Sequence, residues 1–440
     1  MRMAPRISAP STSQSFPPCA WIRPAAVPVV SNLSEVHWFG RSLRSMLKEA
    51  ATGRSGTDPW HPSHPRRPVL ALFLGLWAAL LCAPPNALEA ADLSDQGPFS
   101  VETLEFANLS DQPGASSPRD AEPRRLLFRR EPVLVPRPQG APVSRARKIP
   151  VKVHVPDHGG PFPVVVVSHG AGGDWDTHAA QARHLASHGY AVLCVEHTGS
   201  NRDRMARGFQ FMKNLDAMIH DSAEVFARPK DISFAIDRAE EWNRDSAKLR
   251  GRLDVRRVGM LGHSFGAFTT MVECGMRPAL DWLTPRVEPG RGLGPDVRDA
   301  RIQCGVALSP QGVGEPFFIR ESFGSLKVPL LGISGSRDRQ QNGLSAENRR
   351  EAFAAWPRGP HRFVWLENAG HLDFTDSAGS TRRATPSPTR NDVQPLTRAA
   401  TLLFFNLHLK GDTEAANQLT ENALKAYLRG AVPRVEVLSK

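Results

Sequence analysis

The sequence predicts an α/β fold with a mostly parallel central sheet and helices on both of its faces. Short apolar segments of strand length alternate along the chain with segments whose apolar residues recur at helical spacing. Several of the strand-like segments are apolar without interruption, which is typical of parallel strands buried on both faces. Strands and helices that alternate in short units indicate a parallel sheet, and we expect its chemistry at the carboxyl ends of the strands.

The predicted elements follow one another from about residue 148. A polar segment precedes them and contains two strand-like pieces, VETLEF and RRLLFRREPVLV. The first main strand, KIPVKVHV, is predicted to lie at an edge of the sheet, and the first helix is expected to end at Gly189. The further strands are FPVVVVSHG, YAVLCVEH, RVGML, CGVALSP, PLLGISG and HRFVWLENAGH, and the helices are THAAQARHLASHG, RPKDISFAIDRAEEWNR, a segment after RVGML, AENRREAFAAW and one around LTRAATLLFFNLHLKG.

Residues 66–90 have the layout of a secretory signal peptide. Two arginines precede a fifteen-residue apolar run, Val69–Ala83, and small residues with prolines follow it. The run is short for a membrane span of about 20 residues, and cleavage after Ala90 fits the small residues found at such sites. The alternative is a membrane anchor formed by this run. We interpret residues 1–65 as a disordered or mis-assigned extension, and residues 91–440 as one domain that is exported, periplasmic or secreted.

The composition and the distribution of charge indicate which kinds of binding partner to expect. Hydrophobic residues make up 40% of the 440 and charged residues 22%, which is typical of a globular chain. The net charge is +11, but residues 1–90 carry +5 of it, with nine Lys or Arg and four Asp or Glu. The other arginines are scattered without a basic stripe, so we expect no nucleic-acid partner. There is no Cys/His spacing of the kind that binds zinc, and no obligate protein partner is evident.

A sharp turn between strand and helix is predicted at RVGMLGHSFGAFTT. In the pattern Gly-x-Ser-x-Gly the serine adopts strained backbone angles, and side chains at the glycine positions would clash. Gly262 and Gly266 flank Ser264 in this way. The strain exposes the serine Oγ near the start of the following helix, so we interpret Ser264 as a nucleophile. The pattern alone is weak, and the interpretation depends on a base and an acid further along the chain.

Two downstream residues supply the base and the acid. Asp338 follows the strand LLGIS, and His371 follows the strand FVWLEN. The chain order Ser264, Asp338, His371 is the order used by α/β-hydrolases. A serine needs a base to take its proton as it attacks a carbonyl, and histidine titrates near neutral pH. Asp338 would hold the imidazole tautomer and stabilise the imidazolium.

Two backbone N–H groups are predicted to bind the oxyanion of the tetrahedral intermediate. One belongs to Phe265, directly after Ser264, and the other to Ala171, in the loop that follows VVVVSHG. The glycine-rich GAGG of this loop could instead indicate a phosphate site, but it lacks the Gly-Lys-Ser/Thr ending and the GxGxxG spacing. We therefore predict no nucleotide cofactor.

Three further features have open alternatives. His197 ends a strand near the expected pocket, so a substrate contact and a structural hydrogen bond are equally consistent with its position. His263 is expected to pack structurally. Cys274 and Cys304 flank a Pro/Gly-rich loop and could form a disulfide in an oxidising compartment.

The chain also resembles a known family over roughly residues 100–430. It is similar to the dienelactone-hydrolase-like α/β-hydrolases of bacteria, which are akin to platelet-activating-factor acetylhydrolases. The resemblance implies the α/β-hydrolase fold, the triad of Ser264, Asp338 and His371, and ester hydrolysis without a cofactor or metal. Dienelactone hydrolases use a cysteine nucleophile where this chain has serine, which favours an ordinary esterase. The segments that carry the resemblance are KIPVKVHVP, GPFPVVVVSHGAGG, HLASHGYAVLCVEHTGSN, RPKDISFAIDRAEEWN, RLDVRRVGMLGHSFGAFTT, LLGISGSRD and NAGHLDF.

The sequence therefore predicts a serine hydrolase that cleaves small-molecule carboxylic esters through an acyl-enzyme. An acyltransferase is one alternative, because the same acyl-enzyme can pass its acyl group to an alcohol. A non-catalytic binding protein with the hydrolase fold is the other. It would normally lack a member of the triad, and none is missing here.

Overall fold

A nine-stranded sheet forms the centre of the fold, in the order β1-β2-β4-β3-β5-β6-β7-β8-β9. The structure is a computed structural model that describes residues 92–110, 147–340, 343–376 and 387–440. The predicted extension 1–65, the predicted signal peptide 66–90 and the segment RRLLFRREPVLV lie outside these residues. The strands are Val101–Phe106 (β1), Val151–Pro156 (β2), Phe162–Ser168 (β3), Ala191–Val195 (β4), Leu253–His263 (β5), Ile302–Leu308 (β6), Leu330–Arg337 (β7), Arg362–Gly370 (β8) and Val435–Ser439 (β9).

Six adjacent strands of the sheet, β4, β3, β5, β6, β7 and β8, are parallel to one another. At the two sides of this group, β2 pairs antiparallel with β4 and with β1, and β9 pairs antiparallel with β8. The predicted α/β class and mostly parallel sheet are thus confirmed. The prediction that KIPVKVHV lies at the edge is wrong, because β1 pairs along the full length of β2. The last strand, β9, was not predicted. It is a short, half-buried segment whose place depends on its pairing with β8.

Helices cover both faces of the sheet. Helix α1 ends just before Gly189, whose φ of 81° lies in the left-handed region that favours glycine. Helices α1 and α7 pack on one face, and α4, α5 and α6 pack on the other. The helices are Ala179–Ser187 (α1), Arg202–Met205 (α2), Phe211–Ile219 (α3), Ser222–Asp245 (α4), Phe265–Glu273 (α5), Glu347–Ala352 (α6), Arg390–Phe405 (α7), Glu414–Gln418 (α8) and Glu421–Leu424 (α9).

The valines of β3 show how the sheet separates two apolar layers. Val165 and Val167 face α1 and α7, whereas Val164 and Val166 face α4. All four are buried, as expected for successive residues of a strand that alternate between two covered faces. Burial on both faces makes the central strands rigid supports for the loops at their carboxyl ends.

Helix α4 begins earlier than its sequence predicts. The predicted segment starts at Arg228, directly before Pro229, but the helix starts at Ser222. The side chain of Asp221 caps it by accepting the Ala223 N–H. Pro229 removes one helical hydrogen bond, and the buried face of the helix, which includes Phe226, holds it together. Among the described residues, none of the helices has both the length and the apolarity of a membrane span.

The predicted disulfide between Cys274 and Cys304 is wrong, because both residues are free, buried thiols. Cys304 faces the layer of α7, and Cys274 lies in the layer of α5 on the opposite face of the sheet. A Cβ at Gly305 would overlap the sulfur of Cys274. Since side chains of successive residues in a strand point to opposite faces, the sulfur of Cys304 lies across the sheet from that of Cys274.

A buried glutamate ends α5 on the same layer. Glu273 is fully buried, and its Oε2 accepts the Asp299 N–H at 2.6 Å. Its Oε1 has no hydrogen-bond partner among the described residues. Burial raises the pKa of Glu273 well above its ordinary value, so folding favours the protonated form of this carboxyl group.

We therefore expect Glu273→Gln to stabilise the protein at neutral and alkaline pH. A raised pKa gives stability that is fully present below the pKa of the unfolded chain and is lost as pH rises toward the folded pKa. The amide mimics the protonated acid, so the variant's advantage should grow by up to about 1.4 kcal/mol per pH unit in that range. Urea unfolding from pH 4 to 9 measures it, with Glu351→Gln as the exposed control. A variant less stable than the parent at pH 8 would contradict a protonated Glu273.

Candidate active site

Ser264 lies at a sharp turn between β5 and α5. Its φ is 57°, a value rare for residues other than glycine and often found at functional sites. The two flanking glycines are sterically required. A Cβ at Gly262 would overlap the Gly266 carbonyl, and a Cβ at Gly266 would overlap the Ser168 carbonyl at the end of β3. The turn thus forms only because no side chain stands at either position.

Hydrogen bonds hold the turn in place. The Ser264 N–H donates to the Leu308 carbonyl at the end of β6, at 3.0 Å. The amide of Gln311 donates to the Ser264 carbonyl at 2.8 Å. One partner ends the neighbouring strand β6 and the other lies just after it, so the backbone of the strained serine is fixed to the sheet while its Oγ stays free to react.

The structure brings Ser264, His371 and Asp338 into one hydrogen-bonded row. His371 directly follows β8, and Asp338 directly follows β7. His371 Nε2 lies 3.0 Å from Ser264 Oγ, and His371 Nδ1 lies 2.7 Å from Asp338 Oδ1. The carboxylate only accepts, so Nδ1 carries the proton and Nε2 is the nitrogen that can accept one from Ser264.

Asp338 is fully buried but well supplied with donors. Ser334 Oγ donates to its Oδ2 at 2.7 Å, and Arg349 Nη2 lies 3.2 Å from its Oδ1. Burial alone would raise the pKa of Asp338, but the charge of Arg349 and the bond to His371 outweigh it and hold the pKa well below its ordinary value. The aspartate is therefore ionised at any pH at which a histidine base is neutral.

Arg349 is a member of this group that the sequence did not reveal. It is buried on α6 and donates to the carbonyls of Asp338, Ser309 and Pro310 at 2.8, 3.0 and 2.8 Å. These bonds join the loops that follow β6 and β7. The charged segment AENRREAF predicts that its arginines are exposed to solvent. Arg349 is buried only because of the way α6 packs on the rest of the fold.

The two predicted oxyanion donors both line the cavity beside Ser264. Phe265 is the first residue of α5, so its N–H has no carbonyl of the same helix to bond. Ala171 lies in the loop after β3. This loop is held by the Gly172 N–H, which donates to the Ser200 carbonyl at 2.8 Å, and by the Gly173 N–H, which donates to the Gly170 carbonyl.

A cavity of about 370 Å³ opens above Ser264. This volume is near the lower end for small-molecule sites. One wall comes from the segment 201–229. The segment 276–301 contributes no residue to the wall and packs in the layer of α5. The apolar lining residues are Ala171, Met205, Leu215, Ile219, Phe265, Pro316, Phe317 and Leu372.

Of the two alternatives for His197, a substrate contact or a structural hydrogen bond, the structure shows the structural hydrogen bond. His197 is fully buried and does not line the cavity. Its Nδ1 bonds Asp231 Oδ2 at 2.7 Å, and its Nε2 bonds Ser168 Oγ at 2.9 Å. The end of β4 turns this side chain inward beneath α4, so the structural alternative holds.

The side chain of His263 packs against His371, as expected for a structural residue. It lines the cavity, is almost fully buried, and donates from Nε2 to the His371 carbonyl at 3.0 Å. Burial and the neighbouring His371 lower the pKa of His263 well below its ordinary value. A neutral His263 supports the loop that carries His371 without adding a second positive charge.

The chain is similar to platelet-activating factor acetylhydrolases. The family profile described as "Platelet-activating factor acetylhydrolase, isoform II" matches residues 146–231. This segment runs from before β2 into α4 and contains Ala171, but none of the three residues of the hydrogen-bonded row. A platelet-activating factor acetylhydrolase of Cavia porcellus is 25% identical over 316 residues, which cover 64% of this chain and 60% of the relative. The chain thus spans less than two thirds of that relative's length.

The similarity agrees with the α/β fold observed here. The resemblance to dienelactone-hydrolase-like proteins is not tested by it.

Proposed function

We propose that this protein is a serine esterase that cleaves carboxylic esters through an acyl-enzyme intermediate. One observation carries the proposal. The row Ser264–His371–Asp338 has hydrogen bonds of 3.0 and 2.7 Å and ends at the floor of a cavity. A hydroxyl, a base and an ionised acid in this order are the groups that nucleophilic acyl transfer requires. The similarity to an ester hydrolase agrees with this chemistry.

In the acylation step, Ser264 Oγ attacks the ester carbonyl carbon while His371 Nε2 takes the hydroxyl proton. The carbonyl oxygen becomes an oxyanion and accepts hydrogen bonds from the N–H groups of Phe265 and Ala171. The intermediate collapses when the bond to the alcohol oxygen breaks, and His371 donates its proton to the departing alcohol. Asp338 stabilises the imidazolium that forms between these transfers.

In the deacylation step, a water molecule takes the place of the alcohol. His371 removes one proton from the water, whose oxygen attacks the acyl carbon, and the same two N–H groups bind the second oxyanion. Breaking the bond to Ser264 Oγ releases the carboxylic acid, and the proton on His371 returns to the serine. The cycle uses only residues of this chain and water.

The size of the cavity favours short acyl groups. A volume of about 370 Å³ is near the lower end of the range for small-molecule sites. The name of the Cavia porcellus relative, an acetylhydrolase, suggests acetyl esters as the first substrates to test. Dienelactones are not proposed as substrates, because Ser264 stands where a cysteine is expected in enzymes that hydrolyse them.

We therefore expect purified protein to hydrolyse 4-nitrophenyl esters, with kcat/KM highest for acetate and butyrate and lower for decanoate and laurate. A panel of acyl lengths, read as nitrophenolate release, measures this. Assays with added methanol separate hydrolysis from acyl transfer, since a hydrolase yields mainly the free acid and an acyltransferase the methyl ester. Failure to hydrolyse any ester of the panel would contradict the proposed function.

Export through residues 66–90 is also proposed from the sequence. The mature N-terminus of exported protein, read by mass spectrometry, is expected after Ala90.

A further inference from the structure

Arg228 is a fully buried arginine that no step of the proposed mechanism uses. It lies on α4, and it does not line the cavity. Burying a guanidinium is costly unless every donor is bonded. The partners of its hydrogen bonds therefore indicate which parts of the fold Arg228 supports. These bonds connect it to two separate segments of the active site.

The first segment is the end of β3 and the loop that carries Ala171. Arg228 Nη2 donates to the His169 carbonyl and, at 3.0 Å, to Ser168 Oγ. His169 is two residues before Ala171. Arg228 Nη1 donates to Ser200 Oγ at 2.7 Å, and the carbonyl of Ser200 accepts the N–H of the residue after Ala171. The guanidinium thus supports this loop at both of its sides.

The second segment is the first turn of α5, which carries Phe265. Arg228 Nε donates to Thr269 Oγ1 at 2.9 Å, and Thr269 Oγ1 donates in turn to the Phe265 carbonyl at 3.0 Å. The guanidinium carbon lies 4.4 Å from the centre of the Phe265 ring, within the range of a cation–π contact. One rigid planar group therefore contacts both peptide segments that supply the oxyanion donors.

Charged neighbours hold Arg228 in its ionised form. Burial lowers the pKa of Arg228 to about 9, and Glu224 and Asp231 oppose this effect. Arg147 bonds both carboxylates, and His197 links Asp231 to Ser168. Burial and the two arginines lower the pKa of His197, so a neutral His197 donates to Asp231 and accepts from the hydroxyl of Ser168. Four of the five N–H donors of the Arg228 guanidinium are thus used in hydrogen bonds to Thr269, Ser200, Ser168 and His169.

We propose that Arg228 is a positioning residue that sets the relative placement of the Ala171 and Phe265 N–H groups, so that both reach one oxyanion. The inference rests on the proposed function and adds a residue that acts through the backbone rather than on the ester. A guanidinium suits the role because its donors are fixed in one plane. Neither methionine nor lysine can bond four acceptors on three segments of the chain in this geometry.

The test compares Arg228→Met, Arg228→Lys and Thr269→Val in the full chain. Thr269→Val keeps the shape of the side chain and removes only the link to α5. Arg301→Met is the control, because Arg301 also makes several side-chain bonds, to Asp299 and Glu240, but does not line the cavity. The measurements are kcat and KM for 4-nitrophenyl acetate and the inhibition constant of an alkyl trifluoromethyl ketone, which forms an oxyanion when a serine adds to it.

We expect Arg228→Met to lower kcat by about 10- to 100-fold and to change KM by less than about 3-fold, as for loss of oxyanion binding. The inhibition constant of the ketone should rise by the same factor as kcat/KM falls, because both report oxyanion stabilisation. Thr269→Val should lower kcat by about 3- to 10-fold, Arg228→Lys should give an intermediate loss, and Arg301→Met should leave kcat unchanged.

A folded Arg228→Met protein with kcat within about 3-fold of the parent would overturn the proposal, as would a fall in kcat with unchanged ketone affinity. Should Arg228→Met fail to fold, Thr269→Val and Arg228→Lys decide by the same two readouts. A parent protein that neither hydrolyses esters nor binds the ketone would instead contradict the proposed function.

Discussion

Replacing Ser264 by alanine is expected to abolish ester hydrolysis while the protein remains folded. The substitution removes the hydroxyl that is placed to form the acyl-enzyme, so kcat should fall by about a million-fold, as in knockouts of other serine triads. The serine hydroxyl bonds only His371 among the described residues, and the turn depends on Gly262 and Gly266 rather than on the hydroxyl. The free energy of unfolding should therefore change by less than about 1 kcal/mol.

The measurement is the rate of 4-nitrophenyl acetate hydrolysis, with circular dichroism and urea unfolding as checks of the fold. Ser345→Ala serves as the control, because Ser345 is exposed and lies outside the cavity lining. His371→Ala should cost nearly as much as Ser264→Ala, because the serine loses its base. If a folded Ser264→Ala protein keeps most of its activity, the strained turn has only a structural role and Ser264 is not the nucleophile.

The second large effect is expected for Asp338→Asn. An asparagine has a similar shape but presents an amide that can place a donor against His371 Nδ1, which favours the tautomer that cannot take the Ser264 proton. It also removes the charge that stabilises the imidazolium and balances Arg349. By analogy with the same substitution in another serine triad, kcat should fall by about 10⁴-fold.

Ser334→Ala is the matched control for this aspartate. It removes the hydrogen bond to the other carboxylate oxygen, Asp338 Oδ2, but leaves the charge and the bond to His371. We expect only a few-fold loss of kcat, as roughly 1 kcal/mol for one hydrogen bond implies. Asp338→Asn protein that retains more than a tenth of the parent activity would contradict the role of Asp338 in holding His371.

The residues of the candidate site could be predicted where a local rule constrains them. Gly262, Ser264 and Gly266 form a pattern with a steric reason, and the structure shows the overlaps that a side chain would cause. Asp338 and His371 each follow an apolar strand directly. In a parallel sheet such positions meet at one edge, so strand order along the chain was enough to bring the three side chains together.

Other residues depend on tertiary contacts that no local pattern encodes. The sulfurs of Cys274 and Cys304 lie on opposite faces because the register of β6 turns Gly305, not Cys304, toward α5. His197 lies at a strand end, as predicted, but points inward to Asp231. Arg228 sits in a helix segment whose burial follows only from how α4 packs on the sheet. The periodicity of the sequence did not predict in which direction a side chain points at the end of a strand or helix.

The most direct test of the central claim is to locate the nucleophile by covalent labelling. The full chain is treated with a fluorophosphonate, digested, and read by mass spectrometry of its peptides, in parallel with the Ser264→Ala variant. The account predicts one phosphonyl group on the peptide that contains Ser264, loss of ester hydrolysis in step with labelling, and no label on the variant. Label on another residue, or full esterase activity in protein whose Ser264 is labelled, would contradict it.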